Sequence, residues 1–128
     1  MNARVLTALA AVAFLLVACR TAPILNVTDA PVNVPVGQTA TLATVEQAII
    51  RAGNGLGWQM KVEKPGLIVG NLYLRDHQAV VDIPFTTSSY SIIYRSSVNL
   101  DQSGDSIHRN YNGWVQNLDK AIRKNLMP

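Results

Sequence analysis

The order of apolar and polar positions divides the chain into segments of different character. An uncharged and largely apolar run extends from Val5 to Ala18, behind a single basic residue, Arg4. From Arg20 to Ala43 the apolar residues follow no helical repeat and are interrupted by Pro23, Pro31, Pro35 and Gly37. After Thr44 a helical period begins. Thr44 and Gln47 have the spacing of a capping box, and Val45, Ala48, Ile49 and Ala52 form one apolar stripe. Gly53, Asn54, Gly55 and Gly57 should end this first helix.

The period then changes to that of strands. Trp58 to Val62, Leu67 to Leu74, Ala79 to Phe85 and Tyr90 to Val98 are rich in β-branched and aromatic residues and are separated by polar breaks, which predicts four strands. Pro65 and Gly66 occupy the central positions of a type II turn. Pro84 has no N–H for a sheet ladder, so a bulge is expected there. Asp105 or Ser106 can cap a second helix. In it Ile107, Tyr111, Trp114, Val115, Leu118, Ile122 and Leu126 repeat with a period near 3.6. The predicted fold class is α+β, in the order α-β-β-β-β-α, an antiparallel meander of about four strands with both helices packed on one face.

The first run ends in Leu16-Val17-Ala18-Cys19. A basic start, a short apolar stretch and small residues at the cut make a secretory signal. A thiol directly after the cut can accept a diacylglycerol before cleavage, so the pattern is that of a bacterial lipoprotein signal, with Cys19 as the lipidated residue. The run is too short to span a bilayer, which takes about 20 apolar residues. The organisation expected is a signal over 1–18, a lipidated tether over 19–43 and a globular domain over 44–128. An extended tether of this length could reach about 75 Å at roughly 3.1 Å per residue, although its branched residues leave room for part of it to dock as an edge strand. Arg20 stands where an aspartate would favour retention in the inner membrane, so the expected location is the outer membrane of a bacterium, facing the periplasm.

Composition narrows the function classes. Cleavage leaves 110 of the 128 residues, enough for one small domain, with 10 Lys and Arg against 8 Asp and Glu. That balance is too slight for a nucleic-acid partner. Lys120, Arg123 and Lys124 suit the negative end of a helix dipole. Cys19 is the sole cysteine, so thiolate metal sites and cysteine nucleophiles are not expected in the domain. His77 and His108 are the two histidines, and neither has a second ligand at metal spacing. The common hydrolase motifs are absent, and Gly53-Asn54-Gly55-Leu56-Gly57 follows a helix instead of preceding one, as a phosphate loop would. The expectation is a protein that is not an enzyme and that uses neither metal nor cofactor.

The polar face of the last helix is unusual in its amides: Asn110, Asn112, Gln116 and Asn117 accompany His108 and Arg109. Asparagine is a poor helix former, so these groups should bond to neighbouring backbone or to an external ligand. A binding site there would comprise His108, Arg109 and Asn112, with Tyr94, Arg75 and His77 as neighbours across the sheet.

From Trp58 onward the chain resembles a family of small bacterial envelope lipoproteins of no assigned activity. The resemblance rests on Pro65-Gly66, Arg75 with His77, Tyr90-Ser91-Ile92 and Tyr94, Asn99-Leu100, and Ile107-His108-Arg109-Asn110-Tyr111-Asn112. Trp114, Asn117-Leu118 and Ile122 complete it, while Ile83-Pro84-Phe85 departs from it. The resemblance implies location and anchoring, and no catalytic residue. Two functional expectations follow. The first is a lipid-anchored, non-catalytic binding or structural module, attached to the membrane through Cys19 and meeting an envelope protein, glycan or lipid. The second is a small-molecule or lipid carrier with a pocket between sheet and helices, near Tyr94, Tyr111 and Trp114.

Overall fold

A computed structural model describes residues 20–128; the expected signal over 1–18 and Cys19 lie outside the described residues. The described chain is α+β, with two helices, a five-stranded antiparallel sheet and a separate two-stranded sheet. The strands are β1 (Thr21–Pro23), β2 (Val27–Pro31), β3 (Gln59–Lys64), β4 (Leu67–Leu74), β5 (His77–Pro84), β6 (Ser89–Val98) and β7 (Ser106–His108). The helices are α1 (Leu42–Gly55) and α2 (Arg109–Leu126). The order in the large sheet is β2-β6-β5-β4-β3, and β1 pairs with β7.

The meander β3 to β6 follows the strand pattern of the sequence, with Pro65 and Gly66 making the first turn, Gly66 at φ +83°. In register across the sheet, Ile68, Leu72, Ala79, Val81, Ile83, Tyr90 and Ile92 share one face. They form a single buried cluster with Val45, Ala48, Ile49 and Ala52 of α1 and Tyr111, Val115, Leu118, Ile122 and Leu126 of α2. The opposite face carries Val69, Val80, Asp82, Ile93 and Arg95, and there Arg95 bridges Asp82 and Glu63 at 3.4 and 3.9 Å.

Four local features differ from the sequence expectation. The capping box that starts α1 is Thr41 with Thr44: each backbone N–H donates to the other's hydroxyl, and the helix begins one turn earlier than Thr44 and Gln47 suggest. The helix also runs through Gly53, which is buried where Met60 of β3 lies across it. It ends in a Schellman motif, in which Gly57 at φ +89° donates to Asn54 and Trp58 donates to Gly53. Only a residue without a Cβ takes that left-handed step at no cost. Pro84 makes no bulge. It closes β5, and the register shift between β5 and β6 falls at Val80/Val81 instead. Ser106 to His108 is a strand, so α2 begins at Arg109 with His108 as its N-cap.

In the residues read as a tether, the alternative of an edge strand holds for β2, and the docking extends further than that alternative envisaged. From Arg20 onward they lie on the domain: β1 pairs with β7, and β2 adds a fifth strand at the edge of the sheet beside β6. A bulge between Val27 and Ala30 accommodates the pairing, with Asp29 at φ +51° and its N–H donated to Ser91 Oγ at 2.9 Å. Pro23 and Pro31 close β1 and β2, where a missing N–H interrupts little, and Pro35 lies in the loop before α1, where its carbonyl accepts from the Gln38 N–H at 3.0 Å.

Two buried tyrosines separate satisfied from unsatisfied polar burial. Tyr90 donates to Asp119, which also accepts from Arg123 Nη2 at 2.8 Å. Among the described residues the buried Tyr111 hydroxyl has no hydrogen-bond partner, and its ring meets Tyr94 edge-on at 5.6 Å between centroids. Burial raises the pKa of both phenols well above the ordinary value, and the Asp119 carboxylate raises that of Tyr90 further. A raised folded-state pKa contributes stability that is fully present below the unfolded value, near 10, and is lost as pH rises beyond it. Denaturant titrations should therefore show stability holding from neutral pH to about pH 10 and falling above it. At neutral pH, Tyr90→Phe should cost about 1–2 kcal/mol. Tyr111→Phe should be neutral or stabilising by up to about 1 kcal/mol and should flatten the alkaline decline.

Candidate functional site

The residues singled out by the sequence lie at one end of the domain, where β4 turns into β5, where β6 ends and where α2 begins. β6 runs out at Val98 into Asn99, Leu100 and Asp101, and two of these, Asn99 and Asp101, have positive φ. Asparagine and aspartate tolerate this region better than most side chains. Arg75, in the two-residue turn between β4 and β5, does so at φ +57°.

His77 is held in this corner. Its Nδ1 lies 2.7 Å from the Asn99 carbonyl, which can only accept, so that nitrogen carries the proton. Nε2 faces the Asp76 carboxylate at 3.6 Å, and the ring lies 6.4 Å from that of Trp114. Asn99 Nδ2 donates to the other oxygen of Asp76 at 2.7 Å, so the β4–β5 turn is bound to the segment after β6 by two contacts. Tyr94, on β6, donates or accepts a hydrogen bond with Ser97 Oγ at 2.8 Å.

His108, Arg109 and Asn112 occupy the first turns of α2. His108 Nδ1 accepts from the Asn110 N–H at 3.1 Å, as an N-cap side chain does. Its own N–H donates to the Leu100 carbonyl at 2.7 Å. Asn112 spends both ends of its amide on one stretch of backbone: Oδ1 accepts from the Leu25 N–H at 2.9 Å, and Nδ2 donates to the Pro23 carbonyl at 2.8 Å. Arg109 is exposed. The amide of Asn112 is thus engaged with the chain's own backbone, and of the three residues Arg109 alone presents its polar group wholly to the outside.

The structure also joins residues that the sequence did not connect. Asn26 Oδ1 accepts the Tyr94 N–H at 2.9 Å, Asp105 accepts from the Ile24 N–H at 2.8 Å through its carbonyl, and Arg20 Nη2 donates to Asp101 Oδ2 at 3.1 Å. Partners in the two side-chain contacts are 68 and 81 positions apart, so no local spacing could have announced them. Together with Asn112 they fasten residues 20–26 along the junction of β6, β7 and α2.

Tyr111 is fully enclosed in the core, and Tyr94 and Trp114 pack against that core from its edge. A groove of about 360 Å³ lies elsewhere, between α1 and the end of α2, lined in part by Val34, Gln38, Ala48, Arg51 and Leu126. Among the described residues no three His, Cys, Asp or Glu side chains converge as metal ligands, and no helix is long and apolar enough to cross a membrane. No protein-family model matches this chain, and comparisons with curated proteins and with solved structures return no match.

If the amide of Asn112 secures residues 23–25, truncating it leaves a backbone donor and a backbone acceptor unmatched. Asn112→Ala should lower unfolding free energy by about 2–3 kcal/mol and open the segment before β2 to limited proteolysis; Asn112→Asp, which keeps the acceptor for Leu25, should fall between the two. A stability equal to that of the parent protein would show that the amide contributes nothing net.

Proposed function

We propose that this chain is a lipid-anchored envelope lipoprotein whose domain binds a partner without catalysing a reaction on it. The observation that carries the reading is Leu16-Val17-Ala18-Cys19, an apolar run closed by small residues immediately before the sole cysteine. A thiol in that place accepts a diacylglycerol. One acyl chain holds a protein only marginally, at about 0.8 kcal/mol per buried CH₂, whereas two or three make attachment stable. Arg20, in place of an aspartate, favours the outer membrane and a domain facing the periplasm. The resemblance of the closing helix to small envelope lipoproteins supports the same assignment.

Several features of the domain support binding over catalysis. Each histidine has its Nδ1 engaged with backbone, His77 with Asn99 and His108 with Asn110, which ties both rings to local structure. The face of the sheet that carries the half-buried Val80 and Ile93, flanked by the Glu63–Arg95–Asp82 ion pairs, mixes apolar and charged groups as non-obligate interfaces do. An envelope protein, glycan or lipid would meet the domain there or beside Arg109.

The test is Cys19→Ser in the producing bacterium. The parent protein should lose residues 1–18, gain the mass of its acyl groups and enter the detergent phase on Triton X-114 separation; the variant should keep its first residues and remain in the aqueous phase. Identical processing and partitioning of the two would overturn the reading.

A further inference from the structure

We propose that the end of the sheet formed by the β4–β5 turn and the close of β6 rests on the bilayer that holds the protein, with Tyr73, Leu74 and Val98 in the headgroup layer. This deepens the anchoring reading above and rests on it. Cys19 is joined by one peptide bond to Arg20, and consecutive α-carbons stand about 3.8 Å apart. Arg20 is paired with Asp101, and the next residue, Thr21, is already in register with His108. No slack therefore separates the anchoring residue from the folded domain. A thioether-linked diacylglycerol places its glycerol in the headgroup region, so the surface beside Arg20 must lie against it.

That surface can be followed through bonded neighbours. Asp101 lies two residues beyond Asn99, which holds the β4–β5 turn through Asp76 and His77. Val98 immediately precedes Asn99, and Tyr73 lies in register with it across Gln78, two strand spacings or about 10 Å away. At this end three large apolar side chains are left in the open: Tyr73 is 57% exposed, Val98 55% and Leu74 44%. A tyrosine whose hydroxyl bonds Gln78 at 3.0 Å while its ring stands outward has the amphipathic form suited to a membrane interface. The charges here cancel, Arg20, Arg75 and Arg109 against Asp76, Asp101 and Asp105, so the contact is apolar and geometric and needs no anionic lipid. The patch is also small, so it sets the orientation of an anchored protein and does not recruit a free one.

The experiment uses the full-length lipidated chain in vesicles of phosphatidylethanolamine and phosphatidylglycerol. Because the Cys19 sulfur is occupied by lipid, an introduced cysteine is the one thiol available for an environment-sensitive fluorophore. Tyr73→Cys and Val98→Cys report on the proposed contact. Val36→Cys and Met127→Cys report on the opposite end, beyond the start of β6, whose 10 residues span about 30 Å. All four positions are at least half exposed, so the substitutions leave the core intact. In protein that floats with vesicles, the first pair should be shifted to the blue and quenched by headgroup spin-labelled lipid several-fold more strongly than the second. The difference should persist when phosphatidylcholine replaces phosphatidylglycerol. On the unsubstituted chain, hydroxyl-radical oxidation of Tyr73 should fall several-fold on reconstitution, with Met127 unchanged. Flotation with equal quenching at all four positions would overturn the orientation and leave the anchor standing. Failure to float would overturn the anchor and this proposal with it.

Discussion

The side-chain amide of Asn112 is the constraint on which the arrangement of the N-terminal residues depends. One helical side chain matches the carbonyl of Pro23 and the N–H of Leu25, the backbone groups that would otherwise be left unmatched between β1 and β2. An amide carries a donor and an acceptor on separate atoms of one planar group, so a single side chain can match a carbonyl and an N–H two residues apart. With this contact in place, β1 can pair with β7, Asn26 can receive the Tyr94 N–H, and β2 can complete the sheet beside β6. The asparagine costs the helix a little propensity, about half a kilocalorie per mole relative to alanine, and returns two long-range hydrogen bonds.

This stitching bears on what the protein could do with the proposed anchor. A loose stretch of 24 residues would let the domain search a volume above the membrane. With Cys19 lipidated as proposed, the folded arrangement would confine it to one pose beside the lipid. Several polar side chains bind one another or nearby backbone: His108 caps its own helix, Tyr90 and Arg123 converge on Asp119, and His77 is bound to Asn99. Such a domain is suited to presenting a fixed surface, which is the basis for reading it as a binding module.

The contrast between what was legible in the sequence and what was not follows the range of the interactions involved. The four strands of the meander and the stripe of α2 are specified by local period and by a local turn, Pro65-Gly66, so they stand in the structure near their expected places. β1, β2 and β7 are not locally specified. Pro23 and Pro31 mask the strands they terminate, and Ser106 to His108 becomes a strand because Thr21 to Pro23 comes to lie beside it from the other end of the domain. The same applies to the candidate site. That the amides on α2 required a partner was legible from their poor helix propensity, whereas the identity of the partner, 87 and 89 positions away, was not. The capping residue of α1 was misplaced by one turn because Thr41 and Thr44 satisfy each other reciprocally, a pairing of two threonines that the usual Ser/Thr–Glu/Gln signature does not describe.

The most direct measurement is amide hydrogen exchange, by mass spectrometry with single-residue resolution, on the full-length protein. The account predicts that Ile24 and Leu25, whose N–H groups are donated to Asp105 and Asn112, exchange orders of magnitude more slowly than an unstructured chain, and within range of the β6 amides. Exchange of both at the unprotected rate, with β6 still protected, would mean that residues 20–31 hang free of the domain, and the account would be contradicted.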